Sequence, residues 1–140
     1  MFLLDTCAVS ELRKLPSGRA DAGVVAWNAR HAPELSHLSA ISVLEIELGV
    51  RLAEQRGDRA QAERFRAWLE DNVLPAFAGR ILSVDAAIAR RAAALHVPDP
   101  APERDALIAA TALVHGLAVV TRNVADFERT GVALVNPWTA

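Results

Sequence analysis

The feature that leaves fewest folds open is an alternation. Short apolar runs at Phe2-Leu3-Leu4, Ile81-Leu82-Ser83-Val84, residues 117–121 and residues 132–135 are separated by stretches whose apolar residues recur at helical spacing. Residues 34–39 read as one further strand. Antiparallel strands with one wet face alternate polar and apolar residues. Unbroken apolar runs instead mark strands covered on both faces, and parallel strands need a crossover between them that a helix supplies. The expectation is one α/β domain over residues 1–140, a parallel β-sheet flanked by helices on both faces.

Helix boundaries follow from local chemistry. Asp5-Thr6 ends the first strand and starts a helix that runs through Leu12 and stops near Pro16-Ser17-Gly18. Asp21 caps a helix carrying Val24, Val25 and Trp27. Ser42-Val43-Leu44-Glu45 has the spacing of a capping box and opens a helix through Leu52. Asp58 begins a long helix with Phe65, Trp68, Leu69 and Val73 on one side, and Asp85 caps another that ends near His96. A proline-rich link over residues 97–102 leads into a helix over residues 103–115, with Gly116 placed to terminate it in the left-handed conformation. A short helix is expected at residues 123–129.

Composition narrows the class. At 140 residues and 52% hydrophobic content, with a mean hydropathy of +0.19, the chain can bury a proper core. Its longest apolar stretches are broken by His115 and Gly116 and are too short to span a bilayer, and the N-terminus lacks a basic leader region. A cytoplasmic location with no membrane partner is expected. Cys7 is the only cysteine, which excludes an internal disulfide and a cysteine metal cage. The net charge of −2 argues against a general polyanion binder. Lys14 is the only lysine, so the other fourteen cations are arginines, a bias that suits phosphate contacts and that a GC-rich genome would also produce.

Four carboxylates fall where open α/β sheets carry their sites, beyond the carboxyl ends of strands. Asp5 directly follows the first strand, Glu45 lies in the first turn of the helix after the second, Asp105 begins the helix after the proline-rich link, and Asp126 lies just past residues 117–121. A parallel sheet lets all four point into one crevice. Such a cluster raises its own pKa values until a hard dication relieves the repulsion. A metal so placed lowers the pKa of bound water and stabilises the charge of a phosphodiester in hydrolysis, with no histidine needed as base. Each acid also has a structural role open to it: a helix cap for Asp5, the capping box with Ser42 for Glu45, helix-dipole complementation for Asp105 and turn chemistry for Asp126.

The motifs around these acids resemble a known family. Phe2-Leu3-Leu4-Asp5-Thr6 with Val9-Ser10-Glu11-Leu12 resembles the opening of PIN-domain toxins of the VapC type, in their FitB-like branch. Ser39-Ala40-Ile41-Ser42-Val43-Leu44-Glu45-Ile46-Glu47-Leu48-Gly49-Val50 resembles the second motif and Asp105-Ala106-Leu107-Ile108-Ala109-Ala110-Thr111-Ala112 the third. Val120-Thr121-Arg122-Asn123-Val124-Ala125-Asp126-Phe127 resembles the fourth, and Val135-Asn136-Pro137-Trp138 a common ending. The motifs occur in family order from end to end of the chain.

That resemblance implies a PIN-like fold and a magnesium-dependent endoribonuclease, with manganese as the alternative ion. It implies the toxin component of a type II toxin–antitoxin system. Asp5, Glu45, Asp105 and Asp126 become the acidic quartet that holds metal and activates water, with Asp5 and Asp105 as direct ligands. Thr6, Thr121 and Asn123 match polar positions that orient those carboxylates. The partners implied are an RNA substrate, a second copy of the chain in a homodimer, and a cognate antitoxin. The antitoxin carries the hetero-oligomer to operator DNA.

The chain departs from the family at two places. Cys7 stands where the family usually has Asn, and as a nucleophile it has no base evident in the sequence. The link Val97-Pro98-Asp99-Pro100-Ala101-Pro102 is richer in proline than usual, and Asp99 within it reads as turn chemistry. Base stacking is open to Trp27, Trp68 and Trp138, but Trp27 and Trp68, at helical spacing among aliphatics, suit core or dimer surface better, and His31, His37, His96 and His115 lack ligand spacing. Arg13, Lys14, Arg51, Arg104 and Arg122 lie near motif ends, where phosphate contact and solvation are equally open.

Rival readings fit less well. A dehalogenase-type phosphatase wants an acid at position 7, and a receiver module wants a lysine after a late strand. The non-enzymatic alternative is a catalytically weak or inert PIN-fold module that binds its antitoxin or RNA without cutting.

Overall fold

A computed structural model describes residues 1–138. Its five strands, β1 (Phe2–Leu4), β2 (Ser36–Ser39), β3 (Ile81–Leu82), β4 (Ala118–Val120) and β5 (Leu134–Val135), form one sheet in the order β3-β2-β1-β4-β5. Every pairing is parallel, with Leu4 opposite Leu38 on one side and Val120 on the other. The strands before and after β1 in the sheet are reached by crossovers in opposite directions. The strand order therefore switches beside β1, which is where an α/β sheet opens a crevice at its carboxyl edge.

Alternate residues of the strands feed two cores. Leu3 and Val119 pack with Ile108, Ala109 and Ala112 of α7 (Glu103–His115) and with Phe127. Leu4, Leu38 and Val120 point the other way. They meet Ala8 and Val9 of α1 (Thr6–Leu12), Trp27 of α2 (Ala22–Arg30), Ile46 of α3 (Ala40–Gln55), and Leu69 and Val73. Helices thus cover both faces of the parallel sheet. Among the described residues no helix is long and apolar enough to cross a membrane.

Caps explain most helix starts. The side chains of Asp5, Asp21, Asp58 and Asp85 accept backbone N–H bonds at the starts of α1, α2, α4 (Arg59–Trp68) and α6 (Ala86–Leu95). Gly116 closes α7 at φ +68°, a conformation in which a Cβ would be strained.

The expected capping box is wrong. Ser39 caps α3 instead, accepting from Ile41 N at 3.0 Å, so the helix begins at Ala40 and places Ser42 and Glu45 inside it. The cause is that β2 runs straight into the helix with no loop between, so the last strand residue takes the cap. Neither Ser42 nor Glu45 is needed for capping, and both face another partner.

Other boundaries also move. Residues 33–35 form a 3-10 turn set by Pro33, so β2 begins at Ser36. The helix from Asp58 widens to a π-turn over Leu69–Val73 ahead of α5 (Leu74–Ala76), where Pro75 has no N–H to continue the α ladder. The region expected as one short helix at 123–129 is two 3-10 turns, Val124–Asp126 and Glu128–Thr130. The third, fourth and fifth strands are each shorter than their apolar runs.

Candidate functional site

A cleft of about 520 Å³ opens at the carboxyl edge of the sheet beside β1. Asp5, Thr6, Cys7, Ser10, Glu11, Arg13, Lys14, Glu45, Asp105 and Asn123 contribute to its wall.

Asp5 is the best-anchored of its acids. It leaves β1 with its N–H donating to Val120 O at 3.1 Å, which ties it to β4 across the switch point. Its Oδ1 accepts from Ala8 N at 3.0 Å as the cap of α1, and from Cys7 Sγ at 2.8 Å. The residue is only 6% exposed. Among the described residues Oδ2 has no hydrogen-bond partner, and it is not sealed from solvent. One oxygen therefore serves the fold and the other is open to the cleft.

Glu45 is held from both sides. Thr6 Oγ1 donates to its Oε1 at 2.7 Å, and Arg104 lies 3.5 Å from its Oε2. Thr6 Oγ1 is also 3.0 Å from the hydroxyl of Ser42, which is fully buried. Ser42 and Glu45, three residues apart on α3, thus close a small polar network with the first residue of α1. Sequence reasoning missed Ser42 as part of this network. The signal was a serine three residues before a glutamate, which was read as capping.

Asp105 stands in the first turn of α7, half-buried and on the cleft wall. Burial pushes its carboxyl above the ordinary aspartate value, and the charges of Asp126, Glu45 and Asp5 push it in the same direction against the weaker pull of Arg104. All four acids named from the sequence are therefore close enough to feel one another at Asp105. Asp126 is the outermost: it is exposed on its 3-10 turn and does not line the cleft.

The remaining polar residues have separate tasks. Thr121 is fully buried and its Oγ1 accepts from Asn123 N at 2.9 Å, which shapes the turn that brings Asn123 to the cleft. It lies 3.8 Å from Cys7 Sγ and makes no hydrogen bond to an acid among the described residues. Burial pushes the Cys7 thiol up to about 12, with the Asp5 carboxylate adding to the effect. Cys7 is a protonated hydrogen-bond donor to Asp5, the opposite of an activated nucleophile.

Glu11, another acid on the wall, is committed to the fold: it accepts from Asp21 N at 2.8 Å and from Lys14 Nζ at 3.1 Å. The Asp21 bond holds its carboxyl below the usual glutamate value. Asp99 does not line the cleft. Trp27 is buried and stacked on His31, and His37 Nδ1 sits 3.3 Å from Phe2 O. Ala101 N donates to His96 Nδ1 at 3.1 Å, so these side chains serve the scaffold.

Among the described residues no three His, Cys, Asp or Glu side chains are drawn together as a ready-made metal cage. The donor chemistry fits a hard dication all the same. Carboxylate oxygens converge with Asp5 Oδ2 and both Asp105 oxygens unpartnered among the described residues, burial and the neighbouring acids hold the Asp105 carboxyl above its ordinary value, and the sulfur on the wall is kept protonated. Magnesium uses few protein ligands and retains water, so a loose carboxylate cluster suits it better than a closed cage would.

A second cavity of about 710 Å³ lies on the other side of α1. Val9, Leu12, Pro16, Trp68 and Phe77 make its wall largely apolar, and Arg13 borders both it and the cleft.

A five-stranded parallel sheet with carboxylates gathered at its switch point defines an α/β domain built around an acidic cleft. The chain belongs to the PIN-domain family, whose model matches residues 2–133. It is 42% identical to Toxin FitB of Neisseria gonorrhoeae over 99% of each chain. It is 39% identical to VapC ribonuclease Y4jK of Sinorhizobium fredii, over 99% of this chain and 98% of that one. Its fold superposes on the crystal structure of FitAcB from Neisseria gonorrhoeae with a TM-score of 0.85 at 36% identity, covering both chains fully. A structure of FitAB bound to a DNA fragment gives a TM-score of 0.82 at 34% identity, covering all of this chain and 97% of the other.

Proposed function

We propose that this chain is a magnesium-dependent endoribonuclease acting as the toxin of a type II toxin–antitoxin pair. The observation that carries this reading is the convergence of Asp5, Glu45 and Asp105, from three distant parts of the chain, on one cleft at the sheet's switch point. The end-to-end likeness to a VapC ribonuclease and to Toxin FitB supports it.

Asp5 and Asp105 would hold the metal, with Glu45 and Asp126 acting directly or through water. Magnesium, or manganese in its place, would supply charge neutralisation and Lewis acidity for hydrolysis of the phosphodiester. The chain's own residues hold the acids in place for that chemistry. Ala8 N and Cys7 fix one Asp5 oxygen and leave the other to the cleft. Thr6 and Arg104 fix the two oxygens of Glu45. Thr121 sets the turn that presents Asn123.

The partners follow from the same reading. The solved relatives include FitAB with DNA, so a cognate antitoxin that carries the complex to operator DNA is the expected regulator. The apolar groove bordering Arg13 is the surface suited to an amphipathic antitoxin segment. A homodimer is supported by the stripe of Leu44, Leu48 and Leu52, exposed at successive turns of α3. Sedimentation of the Leu48→Glu variant as a monomer would bear this out. A cytoplasmic location completes the reading.

The test is incubation of purified protein and its Asp5→Ala variant with total RNA, in magnesium and in EDTA, followed by mapping of fragment ends. Discrete cleavage that requires both Asp5 and the metal is the expected result. Metal-independent RNA binding without product, from a properly folded wild-type protein, would replace the nuclease with an inert binding module.

A further inference from the structure

Five cations were open to a phosphate role from the sequence, and the structure separates them. Lys14 is paired with Glu11 at 3.1 Å, Arg51 with Glu47 at 3.2 Å along α3, and Arg104 with Glu45 at 3.5 Å. Arg122 lies on the exposed turn after β4 and does not line the cleft. Arg13 does line it, and among the described residues it has no carboxylate partner.

Arg13 is nevertheless held. Its guanidinium carbon lies 5.1 Å from the ring centroid of Phe65 and 5.5 Å from that of Trp68, both on α4. Two aromatic faces attract the cation without using its N–H donors, which a carboxylate would have occupied. Arg13 thus borders both the cleft and the apolar groove, and among the described residues its guanidinium has no ion-pair partner, so its N–H donors remain available. Arg13 also follows the last residue of α1, where the helix carbonyls favour a cation. The cleft has an excess of carboxylates, so a polyanionic strand entering it needs a fixed positive anchor beside them.

We propose that Arg13, braced by Phe65 and Trp68, is the positioning residue that clamps a backbone phosphate of the RNA next to the phosphodiester being cut. The clamp rests on the ribonuclease reading above and refines it by naming what sets the strand's register. Phe65 and Trp68 act through Arg13 and touch no substrate in this role. Their part is to limit the rotamers that the guanidinium must lose on binding.

The experiment measures binding of a fluorescein-labelled 20-nucleotide single-stranded RNA to the full chain in EDTA, by anisotropy from 25 to 200 mM KCl. Cleavage of the same RNA in magnesium gives KM and kcat. Wild type, Arg13→Gln, Arg13→Lys and Trp68→Leu are compared after thermal melts establish that each is folded. Loss of one phosphate contact lowers the salt-dependence slope by about 0.7. Arg13→Gln is expected to show that drop, with affinity weakened and KM raised roughly tenfold while kcat stays within about threefold. Arg13→Lys should restore the slope but only part of the affinity. Trp68→Leu should keep the slope and lose affinity, because the charge stays while its brace goes.

A wild-type slope and KM in Arg13→Gln would overturn the clamp, including the case in which only antitoxin capture suffers. If Arg13→Gln fails to fold, Arg13→Lys decides: wild-type affinity there would equally overturn a braced, bidentate contact. Failure of the wild type to cleave any RNA would instead count against the ribonuclease reading. Wild-type cleavage with an unaffected Arg13→Gln removes the clamp alone.

Discussion

The acidic cleft and the apolar groove lie on either side of α1 and share Arg13, but each is incomplete for a different reason. In the cleft, carboxylates from the residue after β1, from α3 and from α7 are brought together with too few cations, and burial with the neighbouring acids raises the Asp105 carboxyl. In the groove, Leu12, Trp68 and Phe77 leave apolar surface facing water. The cleft lacks positive charge, which a bound metal would supply, and the groove lacks a hydrophobic cover. A catalytic site and a docking surface can therefore be told apart by which deficit they show, even when they share a residue.

Substitution in the groove should break that contrast most visibly. Leu12→Glu puts a charge on its apolar wall and removes one leucine's worth of burial, about 2 kcal/mol. Co-purification with antitoxin is expected to weaken tenfold or more, while RNA cleavage by the isolated chain stays within about threefold. Equal damage to both would show that the two regions are one site.

Asp105→Asn sharpens the comparison from the other side. Its carboxyl is raised in the folded protein, so the protonated form stabilises the fold, and that contribution fades as pH rises through the folded value. At pH 7 without metal, the Asn variant should melt a few degrees higher than wild type, on the scale of less than about 1 kcal/mol for a partly exposed group. Below the carboxylate range the two should melt alike. Saturating magnesium should reverse the order at pH 7 and cleavage should be lost. A lower melting point for the metal-free variant at pH 7 would mean that Asp105 contributes to the fold, and that the cleft carries no electrostatic deficit there.

The most local test concerns Cys7. With its thiol near 12 against an ordinary value of 9.0, the folded chain holds far less thiolate at pH 8 than an unfolded one. Alkylation by iodoacetamide should run roughly a hundredfold or more slower before denaturation than after it. Fast alkylation of the native chain would show that Cys7 is not buried beside the Asp5 carboxylate in solution.

The sheet was legible because burial on both faces leaves unbroken apolar runs, and the caps at Asp5, Asp21, Asp58 and Asp85 were legible because capping is local chemistry. The start of α3 was not. Ser39 and Ser42 are both competent caps, and which one serves depends on where β2 stops, a matter of strand pairing with Leu4 and Ile81 that no local spacing records. The convergence of Asp5, Glu45 and Asp105 was readable once the sheet was taken as parallel. The pairing of Arg104 with Glu45 and the freedom of Arg13 were not, since both depend on side chains from separate helices.

The divided Asp5 carboxylate has an evolutionary consequence. An aspartate codon reaches both asparagine and alanine by one nucleotide change. Asparagine keeps an oxygen that can cap α1, whereas alanine leaves the Ala8 N–H without it, at about 1 kcal/mol. On the proposed ribonuclease reading, lineages escaping that activity at residue 5 therefore divide into two kinds. One leaves a weakened chain exposed to proteolysis. The other leaves a well-folded body with its groove intact, able to occupy a partner's antitoxin while cutting nothing.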